Sequence, residues 1–134
     1  MEKAMTMKIV KRNGKIIVRR ADGSTTNMST QGNAVFSAFE KIKTEVDNEL
    51  IRQFDKWGDQ VPIPIERKII TDEEIGEVDK AFVEAYFFEK ENDLQYAREI
   101  KWQHVQEEII QTIACYVHLY YAIETTQLSN KRRS

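Results

Sequence analysis

Two helix-breaking segments divide most of this chain into three long stretches of helical periodicity. Across residues 29–57, apolar side chains recur at steps of three or four and form one stripe, which is typical of an amphipathic helix. The two prolines of residues 61–65 exclude helix from the middle of that segment, because each forces its predecessor toward extended geometry. A second break falls at residues 91–93. The sequence therefore predicts a mainly α fold, with further helices at about 72–90 and 93–125.

The N-terminal part of the chain has the pattern of a β-hairpin. Two short runs rich in β-branched residues flank Asn13-Gly14, and both of these residues tolerate the positive φ of a type I′ turn. Residues 21–33 are rich in Ser, Thr, Asn and Gly, which indicates a loop. We therefore expect a hairpin extension and polar linker at residues 1–28 and a helical domain at residues 29–134.

Composition limits the classes of protein to which the chain can belong. Its 134 residues are enough for one domain with a core, and its formal net charge is −2. Cys115 is the single cysteine, so an intrachain disulfide and a cysteine-based zinc site are excluded, and a reducing, cytoplasmic location is expected. No apolar run approaches the roughly 20 residues that span a bilayer, and no signal-peptide core is expected. Residues 128–134 form a polar, basic tail that is interpreted as a frayed terminus.

Two short acidic clusters lie on the second and third predicted helices, at equal distances from the break between them. If the chain turns there, Glu77 comes opposite Glu108 and Glu74 comes opposite Gln111. The helical periodicity places Glu74 inside the apolar face of its helix, where a carboxylate is costly unless it is paired or binds a metal. Like charges at this distance repel and raise each other's pKa unless a cation lies between them. The pattern predicts four oxygen ligands converging on one level of a helix hairpin.

Other interpretations of these residues remain open. Each glutamate could be an exposed member of a charge pattern, or the partner of a lysine or arginine. Glu107 points well away from the apolar face of its helix. Both Glu73 and Glu107 are expected to be solvated or to contact a ligand residue rather than the metal. Oxygen ligands of this kind suit Mg²⁺, or Mn²⁺, and no Glu-x-x-His pair of a di-iron bundle is present. His104 and His118 lie on the side of Gln111, but a lone helical histidine is more often structural.

The acidic clusters, and a string that precedes the prolines, resemble the MazG-like all-α nucleotide pyrophosphohydrolases, a superfamily that includes the dimeric dUTPases. Members carry E-E-x-x-E on one helix and E-x-x-D on the next, and this chain has the corresponding strings at residues 73–77 and 108–111. Residues 56–60 match a Lys-Trp-Gly-x-Gln string that is common in phage-type members. The resemblance covers about residues 50–123 and does not include the hairpin.

This resemblance implies a Mg²⁺-dependent hydrolase that converts a (deoxy)nucleoside triphosphate to the monophosphate and pyrophosphate. The residues that it assigns are Glu74, Glu77 and Glu108 for catalysis, the same three with Gln111 for the metal, and Lys56, Trp57 and Gln60 for the substrate. Gln111 departs from the family, which has an aspartate there, so the site could hold one metal rather than two. The segment between the two motifs is also longer than is usual in the family. Trp57 could stack on a base or plug the bundle.

Partners follow from the same patterns. The second helix is apolar around much of its circumference, so a homodimer or homotetramer is expected to complete the antiparallel helical bundle. The competing hypothesis is a non-catalytic helical binding or assembly protein that keeps the scaffold with an impaired metal site. Nucleic acid is not an expected partner, because the basic cluster of the hairpin is interpreted as a solvated face. The residues of that cluster are Lys8, Lys11, Arg12, Lys15, Arg19 and Arg20.

Overall fold

Three strands precede three long helices in a computed structural model of the protein, which describes residues 7–129. The elements are β1 (Lys8–Arg12), β2 (Lys15–Arg19), β3 (Thr25–Asn27), α1 (Thr30–Trp57), α2 (Pro64–Glu91) and α3 (Gln95–Ile123), with a π-helical extension at Glu124–Leu128. The prediction of a mainly helical fold with N-terminal β-structure is confirmed. The chain divides into two compact units, Met1–Thr44 and Glu45–Ser134, so the boundary falls inside α1. Most of the predicted basic tail, residues 130–134, lies outside the described residues.

The first unit contains an antiparallel sheet with the strand order β1-β2-β3. Asn13 and Gly14 have φ values of 52° and 74°, which confirms the type I′ turn between β1 and β2. Strand β3 lies within the stretch that was predicted to be a loop. That prediction was wrong because β3 is short, polar and exposed on both faces, so its residues carry no alternating apolar pattern.

Asn33, near the start of α1, joins the sheet of the first unit to the helix. Its Oδ1 accepts a hydrogen bond from the backbone N–H of Ile16 at 2.6 Å, and its Nδ2 donates to the carbonyl oxygen of Met28. Ser29 caps the helix, because its Oγ accepts from the backbone N–H of Gly32 at 3.0 Å. These bonds satisfy a strand amide and a helix-terminal amide that would otherwise lack partners.

The ends of α1 and α2 follow from glycine and proline. Gly58 adopts a φ of 67° and donates its N–H to the carbonyl oxygen of Phe54, which ends α1 as the sequence predicts. However, α2 begins at Pro64 rather than near Asp72, so the predicted start was wrong. Proline is favoured in the first turn of a helix, where its missing N–H would have no intrahelical partner. The residue before it, Ile63, is extended, as a residue that precedes proline is expected to be.

Helices α2 and α3 form a hairpin that is packed closely along its length. The break at residues 92–94 confirms the predicted turn. An aspartate is a favoured N-cap, which predicts that Asp93 caps α3, but the N-cap position is Leu94 and no side chain bonds there. Near the turn, Glu89 accepts hydrogen bonds from Arg98 Nη2 at 2.6 Å and from Trp102 Nε1 at 3.1 Å. This cluster fixes the first turns of α3 against the end of α2.

Small residues form the buried cluster between these two helices. Ala81 and Ala85 of α2 are buried against Val105 of α3, with Trp102 packed beside them. Further along α3, two more alanines have no exposed surface, and they are Ala114 and Ala122. Because alanine side chains are short, the helix axes can approach closely, and the register of the hairpin is fixed along its length.

The predicted core face of α3 was wrong in part. Helical periodicity predicts that Tyr116 and Tyr120 lie on the core face of α3, together with Val105. Tyr120 is 70% exposed in the single chain, however, and Tyr116 is also exposed. Helix α3 carries apolar residues around most of its circumference, so periodicity alone cannot locate its buried face. Within residues 7–129, no helix has both the length and the apolar character that crossing a membrane requires.

The close α2–α3 contact predicts that Ala85→Leu is destabilising. Three extra carbon atoms at a site with 1% exposure would force the helices apart or strain rotamers, at a cost of about 1–3 kcal/mol in the free energy of unfolding. Urea denaturation followed by circular dichroism measures this change. Ala38→Leu, at an exposed position of α1, is the control, with an expected change below about 0.5 kcal/mol. Equal stability of the Ala85 variant and the wild type would contradict the packing described.

Candidate functional site

A partly buried carboxylate without a hydrogen-bond partner lies on α2, in the second unit. Oxygen Oε2 of Glu74 is buried and accepts no hydrogen bond from any residue in the described range 7–129. Burial raises the pKa of Glu74 above its usual value, and the negative charges of Glu108, Glu77 and Glu49 raise it further. A carboxylate in this position destabilises the fold unless it takes up a proton or a cation.

The hairpin brings most of the predicted ligands together around Glu74. Glu108 projects from α3 with a side chain only 13% exposed. After burial, its negative charge contributes most to the raised pKa of Glu74. Gln111, one helical turn further along α3, lines the same cavity as Glu74. Glu77 is more exposed, yet it is close enough to contribute to the same pKa shift.

Glu49 of α1 is a fourth acidic side chain at this site, and the sequence analysis missed it. Its two carboxylate oxygens accept hydrogen bonds from Arg52 Nε at 2.9 Å and Nη2 at 2.5 Å, and Oε2 also accepts from Gln53 Nε2 at 2.8 Å. Arg52, chiefly, lowers the pKa of Glu49, so this carboxylate is ionised. A signal was present, since Glu49 lies three residues after Val46 on the apolar stripe of α1.

Gln53 connects Glu49 to a histidine on α3. Because the amide nitrogen of Gln53 donates to Glu49, its Oε1 is left to accept from Nε2 of His118, at 3.0 Å. Burial, and then the charge of Arg67, lowers the pKa of His118, so its imidazole is neutral near pH 7. A neutral ring that donates through Nε2 keeps Nδ1 as an acceptor. The ring also packs against Phe54, with centroids 5.8 Å apart.

A cavity of about 1000 Å³ lies beside these groups, within the second unit. Its wall combines the carboxylates of Glu49 and Glu74 with cationic side chains and aromatic rings. The cationic side chains are those of Arg52, Lys56 and Arg67, and the rings are those of Phe54, Trp57, His118 and Tyr121. Acidic and basic groups that share one wall suit a polyanion that binds together with a cation, and a flat aromatic group has rings on which to stack.

The residues that the resemblance assigns to the substrate all line this cavity. Lys56 Nζ lies 4.8 Å from the ring centroid of Trp57, and Trp57 is 60% exposed, so it does not plug the core of the single chain. Gln60 Oε1 accepts a hydrogen bond from Arg67 Nη2. Arg67 also lines the cavity, and it could not be selected from the sequence because its position depends on where α2 begins.

Glu73 and Glu107 lie away from the cavity lining, as their helical positions indicate. Glu73 is exposed, and the side chain of Glu107 is 71% exposed. His104 lies between the acidic side chains of its own helix, with Nδ1 3.8 Å from Glu107 and Nε2 3.7 Å from Glu108. Protonation of this ring would therefore place a positive charge beside Glu108.

Cys115 lines the same cavity as an uncharged thiol. It is partly buried, and burial, with a further contribution from Glu74, raises its pKa to about 11. At neutral pH the group is therefore a weak nucleophile and a poor metal ligand, because both roles require the thiolate. The chemistry of the site depends on its oxygen donors.

The donor set around Glu74 fits a hard divalent cation. Three carboxylates and one amide oxygen are the ligand types that Mg²⁺ prefers, and the unpartnered oxygen of Glu74 is a free ligand position. As placed, the side chains of residues 7–129 do not bring three acidic, histidine or cysteine groups close enough to enclose a metal. Rotation of Glu77 and Glu108 about their side-chain bonds would be needed to bring their oxygens to Glu74.

No protein-family model, curated protein or solved structure matches this chain significantly. The geometry around Glu74 and the acidic motifs of α2 and α3 are therefore the basis on which a function can be assigned.

The unpartnered carboxylate predicts that Glu74→Gln stabilises the metal-free protein. In a buffer containing EDTA at neutral pH, the free energy of unfolding should rise by about 1 kcal/mol, because the neutral amide carries no charge to desolvate. The folded pKa is raised, so wild-type stability falls relative to the variant as pH rises from about 4.5 through that folded pKa. Thermal and urea unfolding across this pH range measure the difference. Glu84→Gln, at an exposed position of α2, should show neither effect.

The opposite ranking would contradict this account of Glu74. If Glu74→Gln were less stable than the wild type in EDTA at neutral pH, the carboxylate would have a favourable partner in the folded state. A difference between the two proteins that did not change with pH would also show that the carboxylate is not desolvated.

Proposed function

We propose that the chain is a Mg²⁺-dependent nucleoside triphosphate pyrophosphohydrolase, which converts a (d)NTP to the (d)NMP and pyrophosphate. One observation carries the proposal: Glu74 has a buried carboxylate oxygen without a partner, close to the charges of Glu77 and Glu108, beside a cavity that also presents lysine and arginine. The order of the two acidic motifs, which resembles the MazG-like pattern, supports the same assignment.

The residues that would hold the cation are Glu74, Glu77, Glu108 and Gln111. When bound there, Mg²⁺ would offset the charge of the triphosphate and lower the barrier to attack at phosphorus. Gln111 supplies an oxygen without a charge, so the site carries one negative charge fewer than the family pattern. Arg52 neutralises Glu49 at 2.5 Å, which leaves that carboxylate to position Gln53.

The residues of the chain account for binding and proton transfer. Lys56 and Arg67, on the cavity wall, would contact phosphate oxygens, and the exposed rings of Phe54 and Trp57 would stack on the base. A carboxylate oxygen of Glu77 would accept a proton from the attacking water, whose oxygen forms a bond to the α-phosphorus. The bond from that phosphorus to the bridging oxygen breaks, and pyrophosphate leaves with the bridging oxygen.

A second candidate function is a non-catalytic binding or assembly protein on the same scaffold. Two observations favour it. The neutral Gln111 occupies one corner of the acidic group, and the described side chains do not enclose a metal as they are placed. Such a protein would still use the cavity and its aromatic lining, but it would bind a ligand without hydrolysing it.

We also propose that the functional form is a homodimer or homotetramer. Large apolar side chains of α2 remain exposed in the single chain, including Val83 and, at 57%, Phe87. These two residues are four apart and share one face of the helix. Exposed apolar residues that are grouped in this way are characteristic of surfaces covered by a partner.

Hydrolysis should depend on the acidic ligands. With Mg²⁺ and a panel of NTPs and dNTPs, the wild type should release pyrophosphate from at least one nucleotide. Glu77→Ala and Glu108→Ala should each lower the rate of pyrophosphate release by more than roughly 100-fold. That figure is the upper end of the effect of removing a group that only hydrogen-bonds to a metal ligand. Gln111→Asp should raise the rate, because it restores a charged ligand. A coupled pyrophosphate assay measures these rates.

Glu84→Ala is the matched control, since it removes an exposed carboxylate from the same helix and should leave the rate unchanged. Absence of turnover on every nucleotide, together with no Mg²⁺-dependent rise in the melting temperature, would reject the hydrolase in favour of the binding protein.

The oligomeric state can be measured by light scattering at micromolar concentration, where a dimer or tetramer is expected. The double variant Val83→Glu/Phe87→Glu should shift the protein to the monomer, because two charges cannot be buried unpaired in an interface. Asp47→Lys, at an exposed polar position of α1, should remain associated. A wild-type monomer under these conditions would refute the proposal.

A further inference from the structure

The outer face of the sheet in the first unit carries four positive charges, which are brought together by the strand register. Lys8 of β1 is paired with Arg19 of β2, and Arg12 of β1 is paired with Lys15 of β2. Residues that lie directly opposite each other in an antiparallel pair project to the same side, as do residues two apart in one strand. These four side chains, here called the basic face, are all exposed.

The basic face does not contribute to the stability of the fold. Like charges directly opposite each other on adjacent strands are destabilising. Within residues 7–129, none of the four side chains forms an ion pair with an acidic group. The buried residues of β2, Ile16 and Val18, project from the other side of the sheet. The arrangement therefore lacks a counter-charge among the described residues.

Protection against edge-to-edge aggregation does not explain the basic face. Charged residues are common on edge strands because they prevent pairing with another chain. In this sheet, β1 is an edge strand, but Arg19 lies on the central strand β2, where that strand is paired with Lys8 of β1 on one side and Thr25 of β3 on the other. Arg19 thus lies where no edge needs protection.

The two units differ strongly in charge. Residues 7–44 contain eight lysines and arginines and two acidic residues, which gives a formal charge of +6. Residues 45–129 contain eight lysines and arginines and nineteen acidic residues, which gives a formal charge of −11. The net charge of −2 for the whole chain conceals this separation. Charge asymmetry of this kind is characteristic of a chain in which one part attracts a polyanion.

We propose that the basic face binds the phosphate backbone of double-stranded nucleic acid. This inference does not depend on the proposed hydrolase activity. Sequence-independent binding of a duplex rests on lysine and arginine contacts to phosphates, and a β-ribbon fits the major groove. The register of β1 and β2 aligns the four cations on one side of such a ribbon, and so changes the interpretation of these residues from a solvated face to a binding surface.

Two features of the sheet favour a duplex over single-stranded nucleic acid and over an anionic membrane surface. The sequence from residue 7 to residue 35 contains no aromatic residue, so the sheet offers none of the stacking platforms that single-stranded nucleic acid requires. The apolar residues of the same face, Val10 and Ile17, are paired with each other between the cations and are partly buried. They do not project as the apolar anchor that membrane-surface binding uses.

Fluorescence anisotropy of the full chain with a short labelled DNA duplex of mixed sequence tests the proposal. Four phosphate contacts predict that log Kd rises with log salt concentration with a slope of about 3.6. Binding should therefore weaken roughly 100-fold between about 50 and 200 mM salt.

Variants test whether the basic face is the surface involved. Lys15→Gln/Arg19→Gln should weaken binding at low salt by at least about 10-fold and lower the slope by about 1.8. Lys80→Gln/Lys90→Gln, which makes the same change in net charge on exposed positions of α2, should preserve both. Lys8→Gln/Arg12→Gln gives an independent test on β1. Circular dichroism should show that the neutral variants remain folded, because each change relieves a like-charge pair.

Several outcomes would overturn the proposal. One is that the wild type does not bind the duplex, or binds it with an affinity that salt does not change. Another is that the wild type binds a single-stranded oligonucleotide of the same length more tightly than it binds the duplex. Binding to phosphatidylcholine–phosphatidylserine vesicles without binding to the duplex would show that the surface meets a membrane instead. An equal loss of affinity in the Lys80/Lys90 control would show that net charge, and not the basic face, is responsible. The wild-type measurements decide the question even if a variant fails to fold.

Discussion

The close packing of α2 on α3 through alanines is the constraint on which the candidate site depends. Ala81 and Ala85 are almost fully buried, and their short side chains let the helices approach without large residues between them. With the register fixed in this way, Glu74 of α2 comes near Glu108 of α3 rather than facing solvent. The cost of this proximity is a carboxylate whose charge is poorly solvated. The same contact that stabilises the hairpin thus leaves a carboxylate that either a proton or a cation would stabilise.

Glu49 and Gln53 extend the site to the first helix. The Arg52 guanidinium neutralises Glu49, so one of the two neighbouring acidic side chains is satisfied within the protein and the other is not. Gln53 then fixes the donor and acceptor roles of His118, which faces the cavity as a neutral ring. A polar network of this kind holds its side chains in defined orientations, as recognition of a ligand requires. The unsatisfied member of the site is Glu74, and the binding of a cation would complete it.

The sequence predicted the features that depend on local chemistry. The type I′ turn at Asn13-Gly14, the end of α1 before Gly58 and the break near residue 92 all follow from backbone preferences of particular residues. One boundary, the start of α2, was wrong because two local rules compete: a proline can end a helix or begin one, and Pro64 begins α2. Strand β3 carries no apolar pattern because its residues are exposed on both faces.

The candidate site was predictable where periodicity and spacing determine it. Glu74, Glu77, Glu108 and Gln111 follow from the symmetry of the hairpin, and Glu74 was correctly placed on a buried face. Arg67 and His118 were not assigned a role, because their positions depend on the start of α2 and on contacts between helices that are distant in sequence. Tyr120 was wrongly placed in the core, since a helix that is apolar around most of its circumference has no unique inner face in the sequence. Which face of such a helix is buried depends on the element that packs against it.

The most direct test of a cation site at Glu74 is a crystal structure of the protein grown with Mn²⁺, analysed by anomalous scattering. We predict an anomalous peak at about 2.0–2.3 Å from an oxygen of Glu74, with oxygens of Glu77 and Glu108 completing the contact. An ordered Glu74 carboxylate bound by a lysine, an arginine or water alone, without a peak, would contradict the account.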